Sequence, residues 1–266
     1  MNHRPRKRFG QNFLIDRGII AAIVAAIAPA ASETIVEIGP GQGALTGPLL
    51  EQIPHLHAIE LDRDLCQVLA ARFPSARLTL HQGDALRFDF TSLPAPLRVV
   101  GNLPYNISTP LLFHLAGYAQ RCTDMHFMLQ DEVVKRMAAE PSTPDYGRLS
   151  VMLQYRFHIE RVFGVPPESF FPAPKVQSAI VRLRPMTPQA MLQRGVVSDE
   201  AALARIVTAA FTQRRKTLRN ALAAVISAEG LGRLGIDAGL RPENLSVTDY
   251  VAIANAAATE ALPPHQ

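Results

Sequence analysis

The first regular pattern in the chain is an apolar run at 18–31, in which Ile19, Ile20, Ile23, Val24 and Ile27 recur every three or four residues. That spacing predicts one face of an α-helix. Asp16 stands where an N-cap is wanted, and Pro29 requires the helix to have ended before it. From Thr34 the pattern changes: short β-rich runs at 34–38, 57–61, 77–81, 97–100 and 125–129 alternate with helical stretches at 45–53, 64–73, 109–117 and 131–139. Such alternation predicts a mostly parallel sheet with helices on both faces. The helix at 109–117 should open with Thr109 as cap and Pro110 in its first turn. A further helix is expected at 149–157, and the five prolines from Pro166 to Pro185 exclude a long helix while enclosing a strand at 176–183. From Ser198 onward the pattern is wholly helical, and 184–197, with Pro185 and Pro188, reads as a linker. The expected organisation is an α/β domain over 1–186 followed by a small all-helical domain over 187–266.

Composition narrows the partners more than the fold. With 48% hydrophobic and 19% charged residues in 266, the chain can bury a sizeable core and carries no long disordered tail. Net charge is only +4, but basic residues bunch at Arg4, Arg6, Lys7 and Arg8 and again at Arg214, Arg215, Lys216 and Arg219, which suits a polyanion. The two cysteines, Cys66 and Cys122, lie far apart and have no neighbours at metal-ligand spacing, so neither a disulfide framework nor a metal site is expected and a reducing cytosol is. The basic start followed by 18–31 imitates a secretory signal. Gln11, Asn12, Asp16 and Arg17 intervene, however, and the run is too short to span a bilayer, so no membrane association is expected.

Candidate chemistry gathers at the ends of the expected strands. The first runs into Gly39-Pro40-Gly41-Gln42-Gly43, a turn where backbone approaches a ligand closely. The second ends in Glu60, about twenty residues after Gly39, at the distance where a carboxylate accepts the hydroxyls of a ribose. The third ends in Gly83-Asp84-Ala85, whose carboxylate suits the amine of an adenine ring, and the fourth in Asn102. A nicotinamide enzyme fits the first two features, but a single residue precedes the last glycine where the dinucleotide fingerprint has two. The Glu-x-Gly-x-Gly-x-Gly form of Glu37 to Gly43 resembles the Rossmann-like Class I S-adenosylmethionine methyltransferases. That resemblance implies S-adenosylmethionine as cofactor, with Glu37 holding its methionyl ammonium and Gly39 and Gly41 lining its cradle; a buried carboxylate capping nearby amides is the alternative for Glu37.

Asn102-Leu103-Pro104-Tyr105 answers a specific problem in such an enzyme. The amine of adenine is a poor nucleophile because its lone pair is delocalised into the ring. If the Asn102 side-chain oxygen and the Leu103 carbonyl accept its two N–H bonds, the nitrogen pyramidalises and its lone pair becomes available, the remainder being positioning. Tyr105 would stack on an extruded base, with Phe171 or its neighbour Phe170 closing the other face and the proline-rich stretch after it stiffening the pocket. Phe9-Gly10-Gln11-Asn12-Phe13-Leu14, the glycine loop, Gly101 to Ser108, and Phe171-Pro172-x-Pro174-x-Val176-x-Ser178 together resemble the ribosomal RNA adenine N6-dimethyltransferase family across nearly the whole chain.

The resemblance implies cofactor contacts at Asn12, Leu14, Gly39, Glu60, Asp84 and Asn102, and an N-terminal segment folded over the cofactor. It also implies an enzyme that dimethylates two adjacent adenines in the 3′-terminal hairpin of small-subunit RNA during subunit maturation; a cytoplasmic location is expected, and a monomer, since nothing in the sequence demands more. Arg215, Lys216 and Arg219, expected on one flank of a helical stripe formed by Val207, Phe211, Leu218, Leu222 and Val225, are the candidate phosphate contacts, whereas Arg214 lies closer to the stripe and is expected to pair internally. The alternatives are a large-subunit adenine methylase of the kind that confers macrolide resistance and a non-catalytic RNA-binding assembly factor. Leu103, where the resistance enzymes often carry isoleucine, favours the small-subunit target.

Overall fold

The computed structural model describes residues 12–260. Phe9, Gly10 and Gln11 of the first motif and the basic group Arg4, Arg6, Lys7 and Arg8 lie outside the described residues. Strand β1 (Phe13–Leu14) leads into helix α1 (Arg17–Ile27), whose N-terminus is capped as expected: the Asp16 carboxylate accepts from the amides of Gly18 at 2.8 Å and Ile19 at 3.1 Å. Then follow β2 (Thr34–Ile38), α2 (Thr46–Gln52), β3 (Leu56–Glu60), α3 (Arg63–Arg72), β4 (Leu78–Gln82), β5 (Leu97–Asn102), α4 (Ser108–Ala116), β6 (Cys122–Gln130) and α5 (Asp131–Ala138). Helix α6 (Arg148–Arg156), β7 (Phe157–Val165), β8 (Phe170–Phe171) and β9 (Ser178–Pro185) complete this part of the chain.

A seven-stranded sheet has the order β4-β3-β2-β5-β6-β9-β7. Strand β2 pairs in parallel with both β3 and β5, β3 with β4 and β5 with β6, while β9 runs antiparallel to β6. Chain order therefore reverses between β2 and β5. The crevice beyond their carboxyl ends is where open α/β sheets bind ligands. Ile23, Val24 and Ile27 of α1 and Leu49 and Leu50 of α2 pack with Ile35, Ala58 and Val100 of the strands. Val36, next along β2 and so directed to the opposite face, is also fully buried. The α/β class and the mostly parallel sheet stand as expected.

Several elements differ in detail. Helix α4 begins at Ser108, so Thr109 and Pro110 lie inside its first turn and Thr109 is not the cap. Strand β7 is unexpected. It follows α6 with no turn residue between them and lies at the sheet edge with mixed exposure, so neither punctuation nor strict alternation marks it. The pair β1–β8, with Phe13 opposite Phe171 and Leu14 opposite Phe170, is too short to carry a periodicity.

The described residues form two compact units, 12–134 with 158–185 and 135–157 with 186–260, so the boundary expected at 186 is one of three crossings. In the second unit the stretch expected as a linker is instead the strand end at Pro185 followed by α7 (Pro188–Arg194). Thr187 caps α7, accepting from the Ala190 amide at 3.2 Å, and Pro188 occupies the first turn, where its missing N–H costs nothing. Helices α8 (Glu200–Thr212), α9 (Leu218–Ala221), α10 (Ala228–Arg233) and α11 (Val247–Glu260) follow. Their core joins Leu203, Val207, Leu218, Leu222 and Tyr250 to Tyr146, Val151 and Tyr155. The expected single helix through 207–225 is broken between Thr212 and Leu218, where the chain turns and the Lys216 amide donates to the Gln213 carbonyl at 2.8 Å. Among the described residues no helix is long and apolar enough to cross a membrane.

Candidate active site

A cavity of about 940 Å³ opens at the carboxyl ends of β2, β3, β4 and β5. Beyond β2 the chain turns through Gly39, Gly41 and Gly43, with φ of 66°, 59° and 83°. Left-handed backbone of this kind is costly for residues with a Cβ. At Gly41 a Cβ would also meet the Phe13 ring at 3.3 Å. The turn is tied to the next strand: Glu60, ending β3, accepts from the Gly41 amide at 3.2 Å and from the Asp62 amide at 2.8 Å. Burial pushes the Glu60 carboxyl above its ordinary value, against the pull of these amides.

Glu37, the penultimate residue of β2, is 2% exposed yet lines the cavity. Its carboxylate accepts from the Thr46 hydroxyl at 2.6 Å. Burial raises its pKa from 4.5 to about 7, with the Thr46 bond opposing and the nearby Glu60 charge adding to the rise. Asp84 follows β4 with its side chain accepting from the Leu86 amide at 3.0 Å, which sets the turn Gly83-Asp84-Ala85 on the cavity wall.

Asn102 ends β5, opposite Met128 of β6. Its side-chain amide nitrogen donates to the backbone carbonyl of Asn12 at 3.1 Å. This bond fixes which way the amide points. Among the described residues no donor reaches its Oδ1, and Asn102 itself lines the cavity. The loop beyond is held by the Leu103 amide on the Met128 carbonyl at 3.2 Å and by the Ser108 hydroxyl on the Tyr105 carbonyl at 3.0 Å. Tyr105 lines the cavity half-buried, and burial raises its phenol pKa.

Over residues 2–259 the chain matches the family described as ribosomal RNA adenine dimethylase. It belongs to that family. It is 64% identical over 251 residues to ribosomal RNA small subunit methyltransferase A of Thiobacillus denitrificans, covering 94% of this chain and 97% of that protein. In fold it is similar to the dimethyladenosine transferase of Plasmodium falciparum, at TM-score 0.78 and 24% identity over 91% of this chain and 95% of that one. It is likewise similar to the 23S rRNA methyltransferase ErmE, at TM-score 0.67 and 24% identity over 93% of this chain and all of that one (100%). These likenesses agree with the Class I methyltransferase fold.

In this dimethylase the expected site residues Asn12, Leu14, Glu37, Gly39, Gly41, Glu60, Asp84, Asn102, Leu103, Pro104 and Tyr105 all line the one cavity. Phe171 does not. Strand alternation turns Phe170 into the core at 3% exposure and leaves Phe171 63% exposed on β8, outside the cavity wall and opposite Phe13. Phe13, Ile15 and Leu61 are wall residues that pattern reasoning passes over, although Phe13 stands inside the first motif. Ser178, the last residue of the final motif and given no role by the sequence, is fully buried and bonds the Tyr105 hydroxyl at 2.6 Å.

In the second unit Arg215, Lys216 and Arg219 are exposed, with no ion-pair partner among the described residues. Arg215 and Lys216 lie in the turn between α8 and α9, and Arg219 in the first turn of α9. Arg214 is paired internally as expected, donating to the Pro144 carbonyl at 2.8 Å and lying 3.7 Å from Glu243.

Proposed function

We propose that this protein transfers methyl groups from S-adenosylmethionine to the N6 amines of two adjacent adenines in the 3′-terminal hairpin of small-subunit ribosomal RNA, giving N6,N6-dimethyladenosine. The cavity suits the donor. A turn with glycine at three of its five positions lets a ligand approach the backbone, Glu60 accepts ribose hydroxyls, Asp84 the amine of its adenine, and Glu37 a cationic ammonium. Asn12, Leu14 and Gly39 line the same wall as Gly41. Bound there, S-adenosylmethionine supplies the methyl group as the electrophilic carbon of a sulfonium.

One observation carries the reading: Asn102 lines the cavity with its amide nitrogen engaged by Asn12 and, among the described residues, no donor on its Oδ1. That oxygen accepts one N–H of the target amine and the Leu103 carbonyl accepts the other, releasing the nitrogen lone pair from the ring. Pro104 stiffens the loop between these acceptors and Tyr105, which stacks on the base. Phe171, exposed beside Phe13, is available to cover the other face of the base. After transfer the nitrogen is acidic and loses its proton to water, so no strongly basic side chain is required. Arg215, Lys216 and Arg219 hold the phosphate backbone.

The relative at 64% identity is a small-subunit enzyme, whereas the large-subunit enzyme ErmE is alike in fold at 24% identity, which supports the small-subunit target over the large. In this reading the enzyme acts as a monomer in the cytoplasm on the assembling small subunit. The test is incubation with undermodified small and large subunits and labelled donor, followed by mass mapping of the modified nucleotides. Two adjacent dimethyladenosines in small-subunit RNA are expected, and label confined to large-subunit RNA defeats the proposal. Asn102→Ala is expected to abolish transfer while leaving RNA affinity within about twofold, since base chemistry and phosphate contacts draw on separate groups.

A further inference from the structure

We propose that Ser178 is a positioning residue for the target base: its buried hydroxyl, 2.6 Å from the Tyr105 hydroxyl, sets the plane of the ring on which the extruded adenine stacks. This rests on the reading of Tyr105 as the stacking partner. The loop from Asn102 to Ser108 is fixed along its backbone by the Leu103, Ile107 and Ser108 hydrogen bonds, the second of these from the Ile107 amide to the Pro104 carbonyl at 3.2 Å. None of them constrains the Tyr105 ring, which is only half-buried and can rotate about its side-chain torsions. The bond to Ser178 grips the ring at its far end.

The anchor is rigid for reasons of sheet register. Ser178 begins β9 directly opposite Gln130 of β6, and the same strand β6 places Met128 opposite Asn102. Residues 128 and 130 of one strand lie about 7 Å apart and point to the same face. A single strand thus spaces the amine acceptor and the anchor of the stacking ring, and Tyr105 bridges between them. Burial keeps the phenol protonated through the physiological range, so the pair remains a neutral hydrogen bond with either oxygen as donor. The assignment also gives the terminal serine of the Phe171 to Ser178 motif a task in the pocket, on a strand that the site otherwise does not use.

The test is a double-mutant cycle on the full chain with Ser178→Ala, Tyr105→Phe and both together, adding Tyr105→Ala and Ser178→Thr. Tyr105→Phe keeps the ring and removes only its hydroxyl. Each single variant is expected to lower kcat about five- to tenfold, as loss of one neutral hydrogen bond does, and the double variant to fall no further than Tyr105→Phe alone. Affinity for S-adenosylmethionine, measured by calorimetry, is expected to stay within about twofold. Ser178→Thr, which keeps the hydroxyl, is expected to recover most of the rate.

Stacking is read separately from the fluorescence of 2-aminopurine placed at the target position in the RNA. Quenching is expected to weaken in Ser178→Ala and Tyr105→Phe and to vanish in Tyr105→Ala. Unchanged rates in both single variants, or additive losses in the double variant, overturn the positioning role. Should Ser178→Ala fail to fold, unchanged kcat and quenching in Tyr105→Phe alone do so. Full transfer and quenching in Tyr105→Ala instead sink the stacking reading on which it rests.

Discussion

Glu37 sits in the cavity as a carboxyl that burial holds up to about 7. Unfolded, the same group titrates near 4.5, so the folded chain binds its proton more tightly than the unfolded one. The resulting stability is fully present below pH 4.5 and is lost as pH rises through about 7. At 1.36 kcal/mol per tenfold, that loss approaches about 3 kcal/mol, and Glu60, also raised, acts with the same sign. Urea unfolding across this range should show stability falling with pH in the wild type and a flatter profile in Glu37→Gln. Donor binding should show the opposite trend. An ammonium pairs with the ionised carboxylate, so affinity for S-adenosylmethionine is expected to rise as pH climbs through 7 and to lose that dependence in Glu37→Gln. A second residue-level constraint is Gly101, where an added Cβ would stand 2.5 Å from the Ile38 carbonyl oxygen of the adjoining strand. Both strands lie inside the sheet and cannot part, so Gly101→Ala is expected to cost about 2 kcal/mol by overpacking and to lower transfer by displacing Asn102. Urea midpoints and kcat measured together check both effects.

At the scale of elements, one buried arginine ties the first helix to the sheet. Arg98 of β5 grips the Asp124 carboxylate of β6 with two bonds of 2.8 and 2.9 Å, reaches Glu33 at 2.8 Å, and donates to the Ile27 and Ala28 carbonyls at the end of α1. Arg98 and Asp124 are both buried, at 6% and 1% exposure. Asp124→Ala takes away the two-bond partner of Arg98 and leaves that buried charge to Glu33 alone, so it is expected to cost about 3 kcal/mol. Replacing Arg98 and Asp124 together by apolar residues of similar volume should recover most of that in urea unfolding, and equal losses in the single and double variants would argue that the ion pair is not what holds the elements. None of this is legible in the sequence, because the pairing joins residues far apart along the chain through a register that only the fold supplies. The strand ends are legible. Gly39, Glu60, Asp84 and Asn102 punctuate β2 to β5 where apolar runs stop, and all four line the cavity. The strands β1 and β8 are not, since two residues carry no period, and with them go the outward turn of Phe171 and the approach of Phe13 to the glycine turn.

The whole molecule divides differently from what its linear pattern suggests, and the reason is where apolar faces find partners. Helix α6 belongs by sequence to the stretch before the expected boundary, yet Val151 and Tyr155 are buried with residues of 191–254. A periodic apolar face states that it must be covered without stating by what, so helix existence is readable and unit membership is not. The same limit applies to the basic cluster. A single helix over 207–225 would place Arg215, Lys216 and Arg219 on a common flank, whereas the break after Thr212 puts Arg215 and Lys216 in a turn. Their exposure survives the correction and permits a sharp test of RNA binding. Removing one phosphate-binding cation should reduce the slope of log affinity against log salt by about 0.7 to 0.9, so Arg215→Ala with Arg219→Ala should flatten it by about 1.5. Arg214 provides the contrast, being engaged by the Pro144 carbonyl and close to Glu243. Arg214→Ala is expected to leave the salt slope unchanged and to lower the urea midpoint slightly. Filter binding of the small-subunit hairpin over a range of salt concentrations separates the two. A slope that drops in Arg214→Ala and holds in the double variant would move the phosphate-binding role from the exposed turn to the paired side chain.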